Sequence, residues 1–255
     1  MYSWRKRVIP LLLLKGDGLV KTRKFKNPTY IGDAINAVKI FNEKEVDELA
    51  LIDITPLSER NEPNYDLLKD ITSECFSPVS YGGKIRNVGQ IRKILSIGVE
   101  KVIINSSAIE DPLFLQDATK IFGSSTIIGS IDVKKDFWGN QRVYTSYGKK
   151  NTGRTPLDVI SFFEKCGVGE ILLNSIDRDG MQTGYDLELI QSLSSCVKIP
   201  LIACGGANGV DDFVRAFENG ASAVAAGSRF VYNGKHNAVL ITYISPEENE
   251  KLLNI

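Results

Sequence analysis

Ser80-Tyr81-Gly82-Gly83, followed by Asn105-Ser106-Ser107, returns later in the chain as Ala203-Cys204-Gly205-Gly206 followed by Ala226-Gly227-Ser228. Two further pairs repeat with it. Asn64-Tyr65-Asp66-Leu67 returns as Gly184-Tyr185-Asp186-Leu187, and Leu12-Leu13-Leu14-Lys15 as Ile131-Asp132-Val133-Lys134. Each pair is offset by about 120 residues, close to half of a 255-residue chain. A duplicated four-unit half-barrel gives this spacing, and an open doubly wound sheet has no reason to.

Outward from the repeat, short apolar runs fall at 8–14, 48–52, 79–81, 102–104, 126–131, 171–173, 201–203 and 223–226. Continuous hydrophobicity of this length suits strands buried on both faces of a parallel sheet. Helix-like stretches separate them. Residues 87–97 put Val88, Ile91, Ile94 and Leu95 on one face and stop at Gly98, and 210–218 repeats the design and stops at Gly220. Eight strands alternating with seven or eight helices is the count of a closed (β/α)8 TIM barrel with an internal two-fold half-barrel repeat. One barrel over residues 1–255 is expected, with half-barrels about 1–123 and 124–255. Residues 141–147 read as a small hairpin arm after the fifth strand. The tail 238–243, interrupted by Pro246, reads as a poor eighth helix.

Lysines and arginines number 31, as do aspartates and glutamates. A zero net charge argues against a nucleic-acid binder and against a polybasic membrane anchor. Cys75, Cys166, Cys196 and Cys204 are scattered without a CxxC pair, so free, buried thiols are expected. No signal peptide is read before Arg5, and the run 8–14 is far too short to span a bilayer, so the cytoplasm is the expected location. The single histidine, His236, lies in what reads as a surface turn. No metal site and no cofactor are implied.

Barrel ligands are held by loops at the C-terminal ends of the strands. Gly205-Gly206 and Gly227-Ser228 fall where barrels commonly bind phosphate, and Gly82-Gly83, Asn105 and Ser106 would form a second site. Tight βα turns alone are the alternative explanation of the glycines, and the doubling of the pattern at matched spacing argues against it. Two sites suggest a long ligand phosphorylated at each end, reacting at the centre. There Asp132, ending the fifth strand, is expected in the barrel mouth with a raised pKa suited to acid/base work. Its repeat partner, Leu13, can transfer no proton.

The segment 16–26 carries glycines at its base and several cations, and is read as a mobile lid loop over an anionic ligand. Asp179 is a candidate general base or a clamp on a loop N–H. Arg7, Glu48, Lys101 and Glu170 open strands one, two, four and six. They are expected to alternate in sign around the bottom of the barrel, as a stabilising salt-bridge plug or something more.

The runs Lys6-Arg7-Val8-Ile9, Asp47-Glu48-Leu49, Asp53-Ile54-Thr55, Glu170-Ile171-Leu172-Leu173 and Ser175-Ile176-Asp177-Arg178-Asp179-Gly180 resemble the cyclase subunit of imidazole glycerol phosphate synthase. The resemblance covers essentially the whole chain and weakens after about Phe230. It implies a barrel that takes ammonia from a glutaminase subunit docked on its bottom face and uses it at the top on a substrate with two phosphates. It implies that Arg7, Glu48, Lys101 and Glu170 form an ammonia gate. It makes Asp132 a catalytic aspartate and Lys21 the important lysine of the mobile loop. It implies phosphate contacts from Gly83, Asn105 and Ser106 on one side, and from Asp179, Gly180, Gly206, Gly227 and Ser228 on the other.

Two departures stand out. The family's other catalytic aspartate aligns with Leu13, and the third glycine of its first phosphate loop aligns with Lys84. Together with Leu11–Leu14 and Tyr81-Gly82-Gly83, this resembles the paralogous branch linked to glycosyl amidation in surface polysaccharide synthesis. In that branch the barrel and glutaminase supply ammonia to an ATP-dependent sugar amidotransferase. The expected function is therefore sugar amidination. A histidine-pathway cyclase and a non-catalytic ammonia conduit are the alternatives.

Overall fold

The computed structural model describes residues 6–234 and 236–253. The segment preceding Lys6, read above for a signal peptide, and Lys235 of the surface turn lie outside the described residues.

Eight parallel strands close on themselves: β1 (Arg7–Lys15), β4 (Leu49–Asp53), β5 (Val79–Gly82), β6 (Lys101–Ile104), β7 (Ile127–Lys135), β10 (Glu170–Ser175), β11 (Leu201–Cys204) and β12 (Ala223–Ala226). The ring runs in this order, with β12 paired to β1 and β7 to β10, so no edge is left open. This is the (β/α)8 barrel expected from the repeat. All eight strands fall on the apolar runs.

Alternation sorts the side chains into two cores. One face of each strand meets the outer helices: α1 (Ala34–Glu43), α2 (Tyr65–Glu74), α3 (Val88–Ser96), α4 (Ser106–Glu110), α5 (Pro112–Phe122), α6 (Pro156–Lys165), α7 (Leu187–Ser194), α8 (Val210–Glu218), α9 (Ser228–Val231) and α10 (Pro246–Leu253). The other face fills the barrel with Ile9, Leu11, Leu13, Ile103, Ile128, Leu172 and their neighbours. Among the described residues, no helix is long and apolar enough to cross a membrane.

Three expectations are corrected. The segment 16–26 is not a loop. It belongs to an antiparallel hairpin, β2 (Gly18–Arg23) and β3 (Lys26–Asp33), with β2 zipped to the end of β1 through Leu13↔Val20 and Leu14↔Leu19. Leu19, Val20, Lys21 and Thr22 are consecutive and all buried, so both faces of β2 are covered, as those of a free loop are not. Second, Pro246 does not interrupt the last helix but starts α10. Its missing N–H costs nothing at that position, and Ser245 and Glu248 cap each other reciprocally, at 3.0 and 3.2 Å. The helix is held by Arg229–Glu248 at 2.7 Å and by buried Leu252. Just before it, Tyr243 Oη lies 2.7 Å from the carbonyl of Val8, tying the tail to the start of β1. Third, the cysteines are free, but Cys75 is only half-buried and Cys196 is exposed. The expected arm after the fifth strand exists as β8 (Gln141–Thr145), pairing back onto β7, and β9 (Lys150–Asn151). Exposed His236 sits in a turn.

Candidate functional site

The strand register sets two polar layers, one below and one above the apolar filling. At the bottom, Arg7 Nη1 is 2.9 Å from Glu48 Oε2, Arg7 Nη2 is 2.6 Å from Glu170 Oε2, and Lys101 Nζ bonds Glu170 Oε1. The order is Glu48–Arg7–Glu170–Lys101, and no ion pair closes Lys101 back to Glu48 among the described residues. The expected ring of alternating signs is therefore an open chain of three pairs. Burial alone would raise the Glu170 carboxyl, but bonds and charge from Arg7 and Lys101 outweigh it and hold Glu170 below the usual range. Burial raises Glu48, against the pull of Lys101 and Arg7. Burial works against the Arg7 charge too, but its two glutamates win and raise it.

Directly above, Ile9, Ala50, Ser80, Ile103, Ile128 and Leu172 surround a small cavity with Glu48 at its wall, roomy enough for about one water-sized molecule.

At the top, Asp132 is half-buried, with Asn174 Nδ2 3.3 Å from Oδ1 and Asn105 Nδ2 3.2 Å from Oδ2. Burial pushes its carboxyl up to about 7. Asn174 opposes the shift and the nearby Asp179 charge adds to it. A carboxyl so poised is partly protonated near neutral pH and can give or take a proton. Leu13 is 8% exposed and packs among the apolar interior residues, so β1 supplies no second acid.

The second-half rim forms one pocket, bringing together Lys21, Asp179, Gly180, Gly206, Gly227 and Ser228. Gly205 and Gly206 hold positive φ of 91° and 110°, and a Cβ on Gly206 would strike the Gly184 carbonyl. Lys21, 5% exposed, lies with its ammonium directly against Gly227. Asp179 does not clamp a loop N–H with its carboxylate. Its Oδ2 accepts from the Thr22 hydroxyl at 3.0 Å, and its carbonyl accepts from Lys24 N at 2.9 Å, fastening the β2–β3 hairpin over the mouth. Cys204 also lines the pocket, but burial pushes its thiol up to about 12, so it is no nucleophile at neutral pH.

Gly83, Asn105 and Ser106 lie together on the opposite rim. Asn105 is committed to the Ser130 carbonyl and Asp132, and Ser106 Oγ accepts from Ser146 N at 3.0 Å. Sequence reasoning noticed Lys84 only as a missing glycine. Its φ is +60°, and its fully buried Nζ lies 2.8 Å from Asp53 Oδ1. A partner 31 positions away leaves no local signal.

A family model described as "Histidine biosynthesis protein" matches residues 7–237. A Pseudomonas aeruginosa protein named provisionally as imidazole glycerol phosphate synthase subunit hisF2 is 51% identical, over 96% of this chain and 98% of its own length. A Streptococcus sanguinis protein named imidazole glycerol phosphate synthase subunit HisF is 36% identical, over 91% of this chain and 92% of its own. The chain belongs to the imidazole glycerol phosphate synthase cyclase-subunit family. Within this family it is also similar to a Leptospira interrogans protein, again provisionally named HisF, at 46% identity over 96% of the chain and 98% of that protein. The HisF-like relatives thus include both proteins named outright for the synthase and provisionally named paralogues, and the latter share more identity with this chain.

Proposed function

We propose that this chain is the ammonia-using barrel of a glutamine amidotransferase complex, specialised for sugar amidination, the formation of an acetamidino group, in surface polysaccharide synthesis. A glutaminase subunit docks on the bottom face. Ammonia enters past Arg7, Glu48, Lys101 and Glu170, crosses the small apolar cavity, and is used at the top near Asp132 and Lys21 or handed to an ATP-dependent sugar amidotransferase.

The single observation that carries this reading is Leu13, packed in the interior where the ring-closing chemistry of the family needs an acid, above an intact polar layer at the bottom. Losing a required acid/base group costs orders of magnitude in rate. Keeping four charges at the lower end has no such explanation if ammonia entry were also lost, since buried pairs are often only break-even for stability.

The remaining groups support divided roles. Asp132 holds or releases a proton at its carboxyl, positioned by Asn105 and Asn174. Lys21 and the Gly206 and Gly227 loops bind an anionic group on the ligand. Gly83, Asn105 and Ser106 would face the other end of the ligand.

Co-purification with a glutaminase and an amidotransferase, followed by a glutamine-dependent assay on a sugar acceptor, tests the reading. Amidinated sugar is the expected product. Normal cyclase turnover on the histidine-pathway substrate would replace this reading with the synthase reaction itself.

A further inference from the structure

β7 does not stop at Asp132. It runs on past the mouth to Lys135 and is zipped to β8 through Asp132↔Tyr144, Val133↔Val143 and Lys135↔Gln141. At about 3.3 Å per residue, the turn that joins the two strands starts about 13 Å beyond Asp132 along β7. That turn is locked. Asp136 N donates to the Asn140 carbonyl at 2.8 Å, and the Asp136 carboxylate accepts from Trp138 N and Asn140 N, both at 2.9 Å. On it stand Phe137 and Trp138, 94% and 83% exposed, their ring centroids 5.5 Å apart and the rings nearly perpendicular. Two aromatic side chains held in water on a rigid turn add nothing to the barrel core. An exposed apolar pair rimmed by polar residues marks a contact site.

The surroundings of the pair carry one sign. Between residues 134 and 154 stand Lys134, Lys135, Arg142, Lys149, Lys150 and Arg154 against a single acid, Asp136, which is engaged in the turn and lies 3.5 Å from Arg142. Lys135 and Lys149 are exposed and lie in no ion pair among the described residues. The chain as a whole is neutral, so this arm is a local basic patch, and an acidic surface complements it. The arm is also braced against the mouth. Ser146 N donates to Ser106 Oγ at 3.0 Å, Tyr147 Oη donates to the Thr55 carbonyl at 3.4 Å, and Lys150 pairs with Glu110 at 3.0 Å. A lipid anchor needs no fixed orientation towards the barrel mouth. A protein whose own site must face that mouth does.

We infer that this arm docks a second protein at the top face, one whose acidic surface surrounds an apolar cleft that receives Phe137 and Trp138. In that cleft the aromatic pair is the hot spot of the contact, while Lys135 and Lys149 meet the acidic rim and steer the approach. β7 carries Asp132 at the mouth and the aromatic turn at its far end, so a protein that grips the turn stands over the exit of the barrel. This inference rests on the reading in which ammonia is handed on at the top. In that reading the occupant is the ATP-dependent sugar amidotransferase, and the arm is the surface of the hand-over.

The test titrates purified sugar amidotransferase into the complex of full-length barrel and glutaminase, by calorimetry. The wild type is compared with Phe137→Ser/Trp138→Ser and with Lys135→Glu/Lys149→Glu, and circular dichroism follows folding. The wild type is expected to bind, more weakly as salt is raised. Each double variant should weaken binding at least about tenfold while the glutaminase stays bound. Unchanged binding in either double variant would overturn the inference and leave the hand-over standing. No binding to the wild type would overturn it too; amidinated sugar formed all the same would leave the reading of function in place, and its absence would remove both. Two measurements on the barrel alone cover the other occupants: co-sedimentation with phosphatidylglycerol–phosphatidylcholine vesicles, and sedimentation velocity. Vesicle binding or self-association that disappears in Phe137→Ser/Trp138→Ser would put a bilayer or a second copy in the partner's place and overturn the inference.

Discussion

Arg7 Nη2 lies 2.6 Å from Glu170 Oε2, joining the first barrel strand to the sixth across the bottom of the barrel, with two strands of the ring between them. Glu170 carries Lys101 as well, so one carboxylate answers two cations. Glu170→Ala should destabilise the protein by about 3 kcal/mol, because it leaves both cations short of a partner. Glu48→Ala, which frees only one arm of Arg7, should cost less, about 1 kcal/mol. Urea denaturation at neutral pH measures both. Because the folded Glu170 is held below its ordinary value, its contribution is present above about pH 4.5 and lost as pH falls through the folded value.

Asp132 behaves in the opposite sense. Its folded pKa of about 7 lies above the unfolded value, so folding grows costlier as pH rises from about 4 to 7. Asp132→Asn should match the wild type in stability at pH 4 and exceed it at pH 8 by on the order of 2 kcal/mol, the full shift being reduced by the part of the carboxyl open to water. Denaturation at the two pH values reads the difference. If Asp132 moves a proton during turnover, the rate of the assembled complex should also change with an apparent pKa near 7, and Asp132→Asn should abolish that inflection.

Much of this arrangement was legible in the sequence, and the rest was hidden for identifiable reasons. The eight strands were readable because a parallel strand buried on both faces is an uninterrupted apolar run. Asp132, Leu13 and the lower charges were readable because strand ends place them. The β2–β3 hairpin reads from sequence as a mobile lid loop because its glycines and cations mask the strand pattern, although Lys21 and Thr22 are buried. Pro246 suggested a break because a proline at the first helical position and one inside a helix look alike in sequence. The Lys84–Asp53 pair and the bond from Ser146 to Ser106 join distant positions, which no local pattern announces.

Restoring the missing acid alone should not restore ring closure. Leu13→Asp places a carboxyl among Ile9, Leu11 and Val20, and should cost about 2–4 kcal/mol. With Lys84 still standing where the family's first phosphate loop has a glycine, the variant should show no turnover of the histidine-pathway substrate. Thermal melting and a product assay check the two halves of this expectation.

The C-terminal helix should close the barrel measurably. Glu248 bonds Arg229 with both oxygens, at 2.7 and 3.0 Å, and takes the Ser245 N–H. Glu248→Ala should cost about 2 kcal/mol by removing a charge-assisted pair and a cap together. Tyr243→Phe, which loses the contact to the Val8 carbonyl, should cost about 1 kcal/mol. Chemical denaturation of each variant gives the values.

The most direct test follows the nitrogen. The barrel, assembled with its glutaminase and the sugar amidotransferase, is given glutamine labelled with 15N at the amide, and the label is traced by mass spectrometry in the wild type and in Lys101→Ala. Label is expected in an amidinated sugar, and none in imidazole glycerol phosphate when the histidine-pathway substrate is also supplied. Lys101→Ala should divert label into free ammonium while glutamine is still consumed. Label appearing in imidazole glycerol phosphate, or a sugar product whose labelling is unchanged by Lys101→Ala, would contradict the proposed function.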